Sequence, residues 1–299
     1  MRRLELLINE ARLSTNTTDI NSVSLLLCQG YMARIQSYLE DLMFLVNSEN
    51  DMFLKDYNFN LIRGQDEYAL PIDIYAKSSI DTVAVSFLNG LSQTFLPLKK
   101  VSRKQRGFTF GYFVQETSMV FTPKPQSPLA IKLTYQRKLP SPSVRMGKIQ
   151  SFGSGVITID PTTYVSEISG SSDYICIVDR DGAVLNKVTD IAGNTAYSPI
   201  YLTSDVSGVL TVDSTIGAVA GAYVVSGKYA SSHVQLPDEC EKYLIMALER
   251  MIQYRQSSSD FNVSSIYTTD ELSTIKEVFA DNSYDDAKPP VTEWQEWLP

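Results

Sequence analysis

Helical periodicity occurs at the two ends of this chain and almost nowhere between them, and that placement constrains its fold more than any other feature. Residues 4–12 form a short amphipathic pattern, followed by a Thr/Asn-rich turn at 15–19. A longer pattern follows, with Val23, Leu27, Tyr31, Ile35, Tyr38 and Leu42 spaced by three and four, which predicts one buried helical stripe. Thr18 or Ser22 is placed to cap that helix, and the polar run 47–50 to end it. After Pro237, which suits a first helical turn, Cys240, Leu244, Ala247, Met251 and Tyr254 repeat the spacing as a narrow seam. Thr268-Thr269-Asp270-Glu271 reads as a capping box for a last helix, with Leu272, Ile275 and Phe279 inward. The expected class is therefore α+β, with a helical bundle formed by the N- and C-terminal helices.

The stretch between the helices reads as β. Residues 82–87 and 129–135 alternate or are rich in β-branched side chains, and Asn89-Gly90 and Pro123-Lys124-Pro125 supply turns. Residues 139–147, with Pro140 and Pro142, read as a linker. Beyond it, 148–230 turns to Ser, Thr, Val, Ile and Gly, with strand candidates at 155–160, 174–178, 184–191, 209–212 and 222–229. Short strands at that spacing predict a small β-barrel or β-sandwich, here inserted into the β layer. The expected division is 1–140 with 233–282 as a core, 141–232 as the inserted β domain, and 283–299 as an extended C-terminal arm.

The formal net charge of −8 is unevenly placed. Residues 99–138 hold nine Lys/Arg against the single acid Glu116, whereas 238–299 hold 13 acids against five bases. Such asymmetry fits a face for an acidic partner or polyanion, or neutralisation of the two segments by each other. Within the basic stretch, Lys99, Lys100, Arg103, Lys104 and Arg106 sit between β segments on an expected loop or hairpin tip. They suit either DNA phosphates or an acidic rim on a neighbouring ring, since both contacts need only charge and reach. Phe108, Phe110, Tyr112 and Phe113 follow, and their alternation fits the core face of a strand better than a stacking platform for single strands. Both tryptophans, Trp294 and Trp297, lie in the last six residues, beyond the helix-breaking pair Pro289-Pro290. Exposed indoles on a free tail are costly, so the arm is expected to dock, on its own chain or on a neighbour.

With these motifs in view, the run LINEARLSTNTTDINSVSLLLCQGYMARIQSYLEDL resembles the opening of the head-to-tail adaptor proteins of tailed, in particular short-tailed, double-stranded DNA bacteriophages. The segment Tyr68-Ala69-Leu70-Pro71-Ile72-Asp73 and the stretch from Leu236 to Tyr243 are similar to the same family. The resemblance covers roughly residues 1–140 and 233–299 and carries no catalytic signature. It implies a structural virion protein at the head-tail junction, made in the host cytoplasm: a homo-oligomeric, dodecameric ring under the portal protein. Such a ring extends the DNA ejection channel, passes genomic double-stranded DNA without sequence recognition, and offers a platform to tail proteins such as a nozzle, fibre or spike. The arm with Pro289, Pro290, Trp294 and Trp297 would then bind the portal. The basic residues from Lys99 to Arg106 would face the channel or the next ring.

Little else in the chain points to chemistry. One histidine, His233, is too few for a multi-histidine metal site and reads as a surface or hinge residue. The three cysteines, Cys28, Cys176 and Cys240, are isolated and odd in number, which fits packed thiols. Asp179-Arg180-Asp181-Gly182 places its glycine too early for a calcium loop and reads as a hairpin turn. Gly153-Ser154-Gly155 has no helix after it to cradle a phosphate. Carboxylate pairs such as Asp285-Asp286 and Glu40-Asp41 sit in ordinary solvated positions. The expectation is no catalytic site, no cofactor and no metal. Glu5, Asn9 and Glu10 interrupt any signal-peptide core, and no apolar run is long enough to span a bilayer, so no membrane partner is expected. The alternative function is a receptor- or glycan-binding tail module that reads its ligand with 148–230. Tyr164, Tyr174, Tyr197, Tyr201, Tyr223 and Tyr229 supply the aromatics for it.

Overall fold

A computed structural model describes residues 2–17, 23–46, 53–76, 79–86, 94–102, 110–168, 172–189, 195–257 and 266–281. Four helices and seventeen strands lie among them, and six of the strands close into a barrel.

Helices α1 (Leu4–Ser14) and α2 (Leu25–Val46) come from the N-terminal end. The candidate caps Thr18 and Ser22 and the stop at 47–50 lie outside the described residues. Ser24 serves as the cap: its Oγ accepts the Leu27 N–H at 3.2 Å. On α2 the fully buried positions are Cys28, Met32, Ile35, Leu39 and Met43, with Gln36 and Glu40 beside them. Leu27, Tyr31 and Tyr38 are only partly buried, so the expected stripe is one flank of the true face. The helix is apolar on so many sides that spacing alone selects two neighbouring stripes about equally well.

The β layer follows: β1 (Leu54–Leu61), β2 (Glu67–Ala69), β3 (Ile80–Ser86), β4 (Leu96–Pro97), β5 (Gly111–Gln115), β6 (Ser118–Thr122) and β7 (Leu129–Gln136). It forms two sheets, ordered β1-β7-β3-β4 and β2-β6-β5. Their facing side chains share one core, in which Phe59, Val85, Ile131 and Leu133 of the first sheet meet Tyr68, Tyr112, Met119 and Phe121 of the second. The period-2 pleat aims Tyr112 into that core and Phe113 out of the other face, against Val101 and Val120.

The stretch expected to be a linker is instead buried structure. It holds β8 (Ser141–Pro142) and the start of β9 (Arg145–Gly153). Its prolines occupy alternate positions whose neighbours do the bonding. The Ser141 N–H donates to Tyr229 O at 3.0 Å and the Ser143 N–H to Ser231 O at 2.8 Å. Strand pairing here needs no N–H at 140 or 142, so proline is tolerated.

The barrel also uses β10 (Val156–Ile159) and β11 (Tyr174–Val178). After a side hairpin of β12 (Lys187–Thr189) and β13 (Thr195–Tyr197) come β14 (Ile200–Val206), β15 (Val209–Val212) and β16 (Tyr223–Ser226). The closed order is β10-β15-β14-β11-β16-β9. Ile149, Ile157, Ile175, Ile177, Leu210 and Val224 fill the interior. Strand β11 is buried on both faces because Val184, Val225 and Ala230 cover Cys176 and Val178 on the outside. A short strand β17 (Ala230–Ser231) pairs in parallel with β8 and returns the chain to the helices.

After a 3-10 turn at Asp238–Cys240, α3 (Glu241–Gln256) and α4 (Thr269–Asp281) complete the described chain. The expected seam is buried at Cys240, Leu244, Ala247 and Met251, while Tyr254 is exposed. The capping box forms as written: Glu271 Oε2 accepts the Thr268 N–H at 2.7 Å, and the Glu271 N–H donates to Thr268 Oγ1 at 3.3 Å. Helix α3 packs on α1 and α2, and α4 packs on α2. The four helices and the barrel interior form one continuous apolar cluster, whereas the β layer keeps its own.

Candidate contact surfaces

The basic segment is described only at its start. Lys99 and Lys100 are exposed, while Arg103, Lys104 and Arg106 lie outside the described residues. The two lysines do not sit on a hairpin tip. Their backbone runs parallel to β5 as an extra edge: the Tyr112 N–H donates to Lys99 O at 3.1 Å, and the Val101 N–H to Tyr112 O at 2.8 Å. Gly111 makes this close approach possible, because a Cβ there would stand 2.6 Å from Lys99 O and 2.7 Å from Val101 Cγ1. Val101 is buried and the two lysines project from the sheet edge, where charge also guards against unwanted strand pairing. Of the aromatics that follow, Tyr112 and Phe113 are core, Phe110 packs against the core, and Phe108 lies outside the described residues.

The proposed docking arm, including Pro289, Pro290, Trp294 and Trp297, also lies outside the described residues, as do Asp285 and Asp286. Exposed apolar side chains do occur on the helices: Leu6 and Leu13 seven residues apart on α1, Leu26 and Leu45 on α2, and Tyr254 on α3. Leu13 and Leu45 are the barest, at 68% and 81% exposure.

The motif Tyr68–Asp73 turns out to be a structural brace. Tyr68 packs edge-on against Phe121, and its hydroxyl accepts the Ile62 N–H at 2.5 Å. Asp73, 1% exposed, accepts from the Lys55 ammonium at 2.5 Å and the Tyr135 hydroxyl at 2.7 Å. Burial, reinforced by Asp73, raises the Tyr135 phenol well above the usual tyrosine range. Lys55 and Lys187 stand 5.3 and 5.1 Å from the Tyr197 ring, so the brace reaches the β12–β13 hairpin across a cavity of about 270 Å³. Both Asp73 oxygens are engaged, and it is the one carboxylate among the described residues lining that cavity. The arrangement fastens layers together through Asp73, which holds Lys55 of β1 and Tyr135 of β7. Its sequence signal was present in the motif, but the partners at 55 and 135 carry no recognisable spacing.

His233 is not a surface residue. It is 8% exposed, wedged between Arg3, which pairs with it as a β-bridge, and the 179–182 turn. Burial, then Arg145 and Arg3, lower its pKa, which favours the neutral ring. That turn is the expected hairpin turn, in which Asp179 Oδ1 accepts the N–H groups of Asp181 and Ala183 at 2.9 and 2.8 Å. Glu40, expected to be solvated, is buried at 2% exposure. The three cysteines are buried and form no disulfide, and burial pushes the Cys28 thiol up to about 11 and that of Cys240 to about 12. No group of three or more His, Cys, Asp and Glu side chains among the described residues is placed to hold a metal. None of the described helices is long and apolar enough to cross a membrane.

On the barrel, Tyr201 is exposed and meets Tyr174 edge-on at 5.5 Å, with Lys228 Nζ 4.5 Å from the Tyr174 ring. Tyr164, Tyr197, Tyr223 and Tyr229 are half-buried and belong to packing clusters or cation contacts. The six tyrosines therefore do not gather into one aromatic platform. Neither the family models nor the curated protein sequences contain a match to this chain.

Proposed function

We propose that this chain is a structural subunit of a ring: a head-to-tail adaptor that sits under the portal of a tailed bacteriophage. It extends the DNA channel there and supports tail proteins. One observation carries the reading. Helices from the two ends of the chain meet, α3 against α1 and α2 and α4 against α2, with a long β excursion between them in sequence. The N-terminal helices keep bare leucines at Leu6, Leu13, Leu26 and Leu45, which suit contacts between neighbouring copies. The exposed Lys99–Lys100 edge provides charge for DNA in the channel or for an acidic rim, and the barrel faces outward as a platform. The arm beyond residue 282, with Trp294 and Trp297, is the anchor to the portal. In this reading the protein resides in the virion, performs no catalysis and needs no cofactor.

The alternative, a receptor- or glycan-binding tail module, is favoured by the exposed Tyr201, which meets the half-buried Tyr174 edge-on, and by that alone. Mixing the purified chain with a cognate portal ring and weighing the products by mass photometry separates the two. The adaptor reading expects whole multiples of 33.4 kDa added to the portal ring, and their loss when the chain is cut before Ser283. Folded protein that adds no mass to the portal refutes it and favours the binding module.

A further inference from the structure

A cleft of about 720 Å³ opens where the start of α1 meets the barrel. Arg2, Arg3, Arg145, Lys148 and Arg180 line it, against Asp181 as the one acid in its wall. Its cations come from three separate stretches of chain, near 2, 145 and 180. Two of the arginines already have partners: Arg2 pairs with Glu10 at 2.6 Å and Glu241 at 3.6 Å, and Arg3 with Glu5 at 4.0 Å. Lys148 and Arg180 are exposed at the mouth.

Arg145 sits deepest. It is 7% exposed, its guanidinium stacks 3.8 Å from the Tyr223 ring centre, and its Nη2 donates to Arg180 O at 2.6 Å. Its Nε–H is buried with no hydrogen-bond acceptor among the described residues. Burying a cation with an unsatisfied donor is costly, and placing further cations around it adds repulsion. Within the described chain Glu5 and Asp179 give only partial relief, and burial lowers the Arg145 pKa. A concave wall of one charge sign focuses the field into the cleft. Planar guanidinium forks match the oxygen spacing of phosphate, and a multivalent oxyanion is needed to balance several cations at once.

We infer that this cleft is an anion site for a phosphate-bearing ligand, held by Arg145, Lys148 and Arg180 with support from Arg2 and Arg3. The site is remote in sequence from Lys99–Lys100 and stands whether or not the ring reading holds. The turn that presents Arg180 is fixed from behind: Gly182, at φ +84°, leaves no room for a Cβ, which would lie 2.5 Å from His233 Nδ1.

The test is calorimetric titration of the full chain with pyrophosphate at constant ionic strength. The expected result is saturable binding that weakens roughly tenfold or more in the Lys148→Ala/Arg180→Ala double variant. Both side chains are exposed, and Arg145 bonds only the backbone carbonyl at 180, so the variant should melt like the parent. Absence of saturable heat, or equal affinity in parent and variant, overturns the proposal. So does binding of a synthetic 281–299 peptide in place of pyrophosphate. Competition by a short DNA duplex would identify the source as a nucleic-acid backbone; failure to compete would identify a free phosphate compound.

Discussion

Replacing Glu40 by glutamine should stabilise the protein above neutral pH and leave it nearly unchanged in mild acid. Glu40 lies on the buried face of α2 at 2% exposure. Burial lifts its carboxyl from 4.5 to about 7, and Lys138 and the hydrogen bonds from Gln36 and Leu139 offset only part of that rise. Gln36 is fixed by its Nε2 bond to Pro140 O at 3.0 Å, and its Oε1 is buried without a partner. A protonated Glu40, one helical turn away, carries a donor of the kind that this carbonyl lacks. Because the folded pKa is raised, the folded state holds the proton more tightly than the unfolded one. The resulting stabilisation is complete below pH 4.5, falls as pH rises from 4.5 to about 7, and is gone above that. The full span is worth roughly 3 kcal/mol at about 1.4 kcal/mol per pH unit. Glutamine is neutral at every pH and supplies an N–H donor of similar shape, so Glu40→Gln removes the loss. Urea unfolding followed by far-UV circular dichroism, on parent and variant across this pH range, isolates the effect, because every other titrating group is shared. The stability difference should grow by roughly 3 kcal/mol between pH 4.5 and 8. A difference that does not change with pH would refute the buried, protonated Glu40 and the seating of α2 on the 139–144 segment.

Gly182→Ala should cost about 1–3 kcal/mol in the same assay, because the added methyl meets His233 and Ser231 at a left-handed backbone position. It should also weaken any anion binding in the cleft by displacing Arg180. Thr268→Ala removes one half of the capping box and should cost about 1 kcal/mol, seen as a lower thermal midpoint with unchanged helix content at low temperature. Lys99→Glu/Lys100→Glu, both exposed at a sheet edge, should shift stability by less than about 0.5 kcal/mol. The same pair should reduce assembly with the portal or the next tail ring most strongly at low salt, measured by sedimentation, and less at high salt.

The sequence carried the order of elements well and their neighbours poorly. Helix α1, the α3 seam and the Thr268–Glu271 box each rest on local spacing, which survives folding unchanged. Strands 156–159, 174–178 and 209–212 were legible for the same reason. The error at 139–147 has a physical source: Pro140 and Pro142 signal a break only if their missing N–H groups matter, and in β8 they do not. Strand β9 then hides behind Arg145 and Lys148, whose charge comes from lining the cleft rather than from a loop, and behind Gly147, where a Cβ would meet Ile159. His233 and Glu40 look solvated because nothing local reveals the elements that cover them. Charge asymmetry singled out Lys99 and Lys100, but the cleft draws its cations from distant stretches with no common spacing, so only the closed barrel brings them together.

The most direct measurement is electron microscopy of the cognate portal ring with and without this chain. The adaptor account predicts an added tier under the portal, with the same rotational symmetry and one copy of the chain per portal subunit position. Portal rings that look identical in the two samples, beside free monomeric chain, would contradict it.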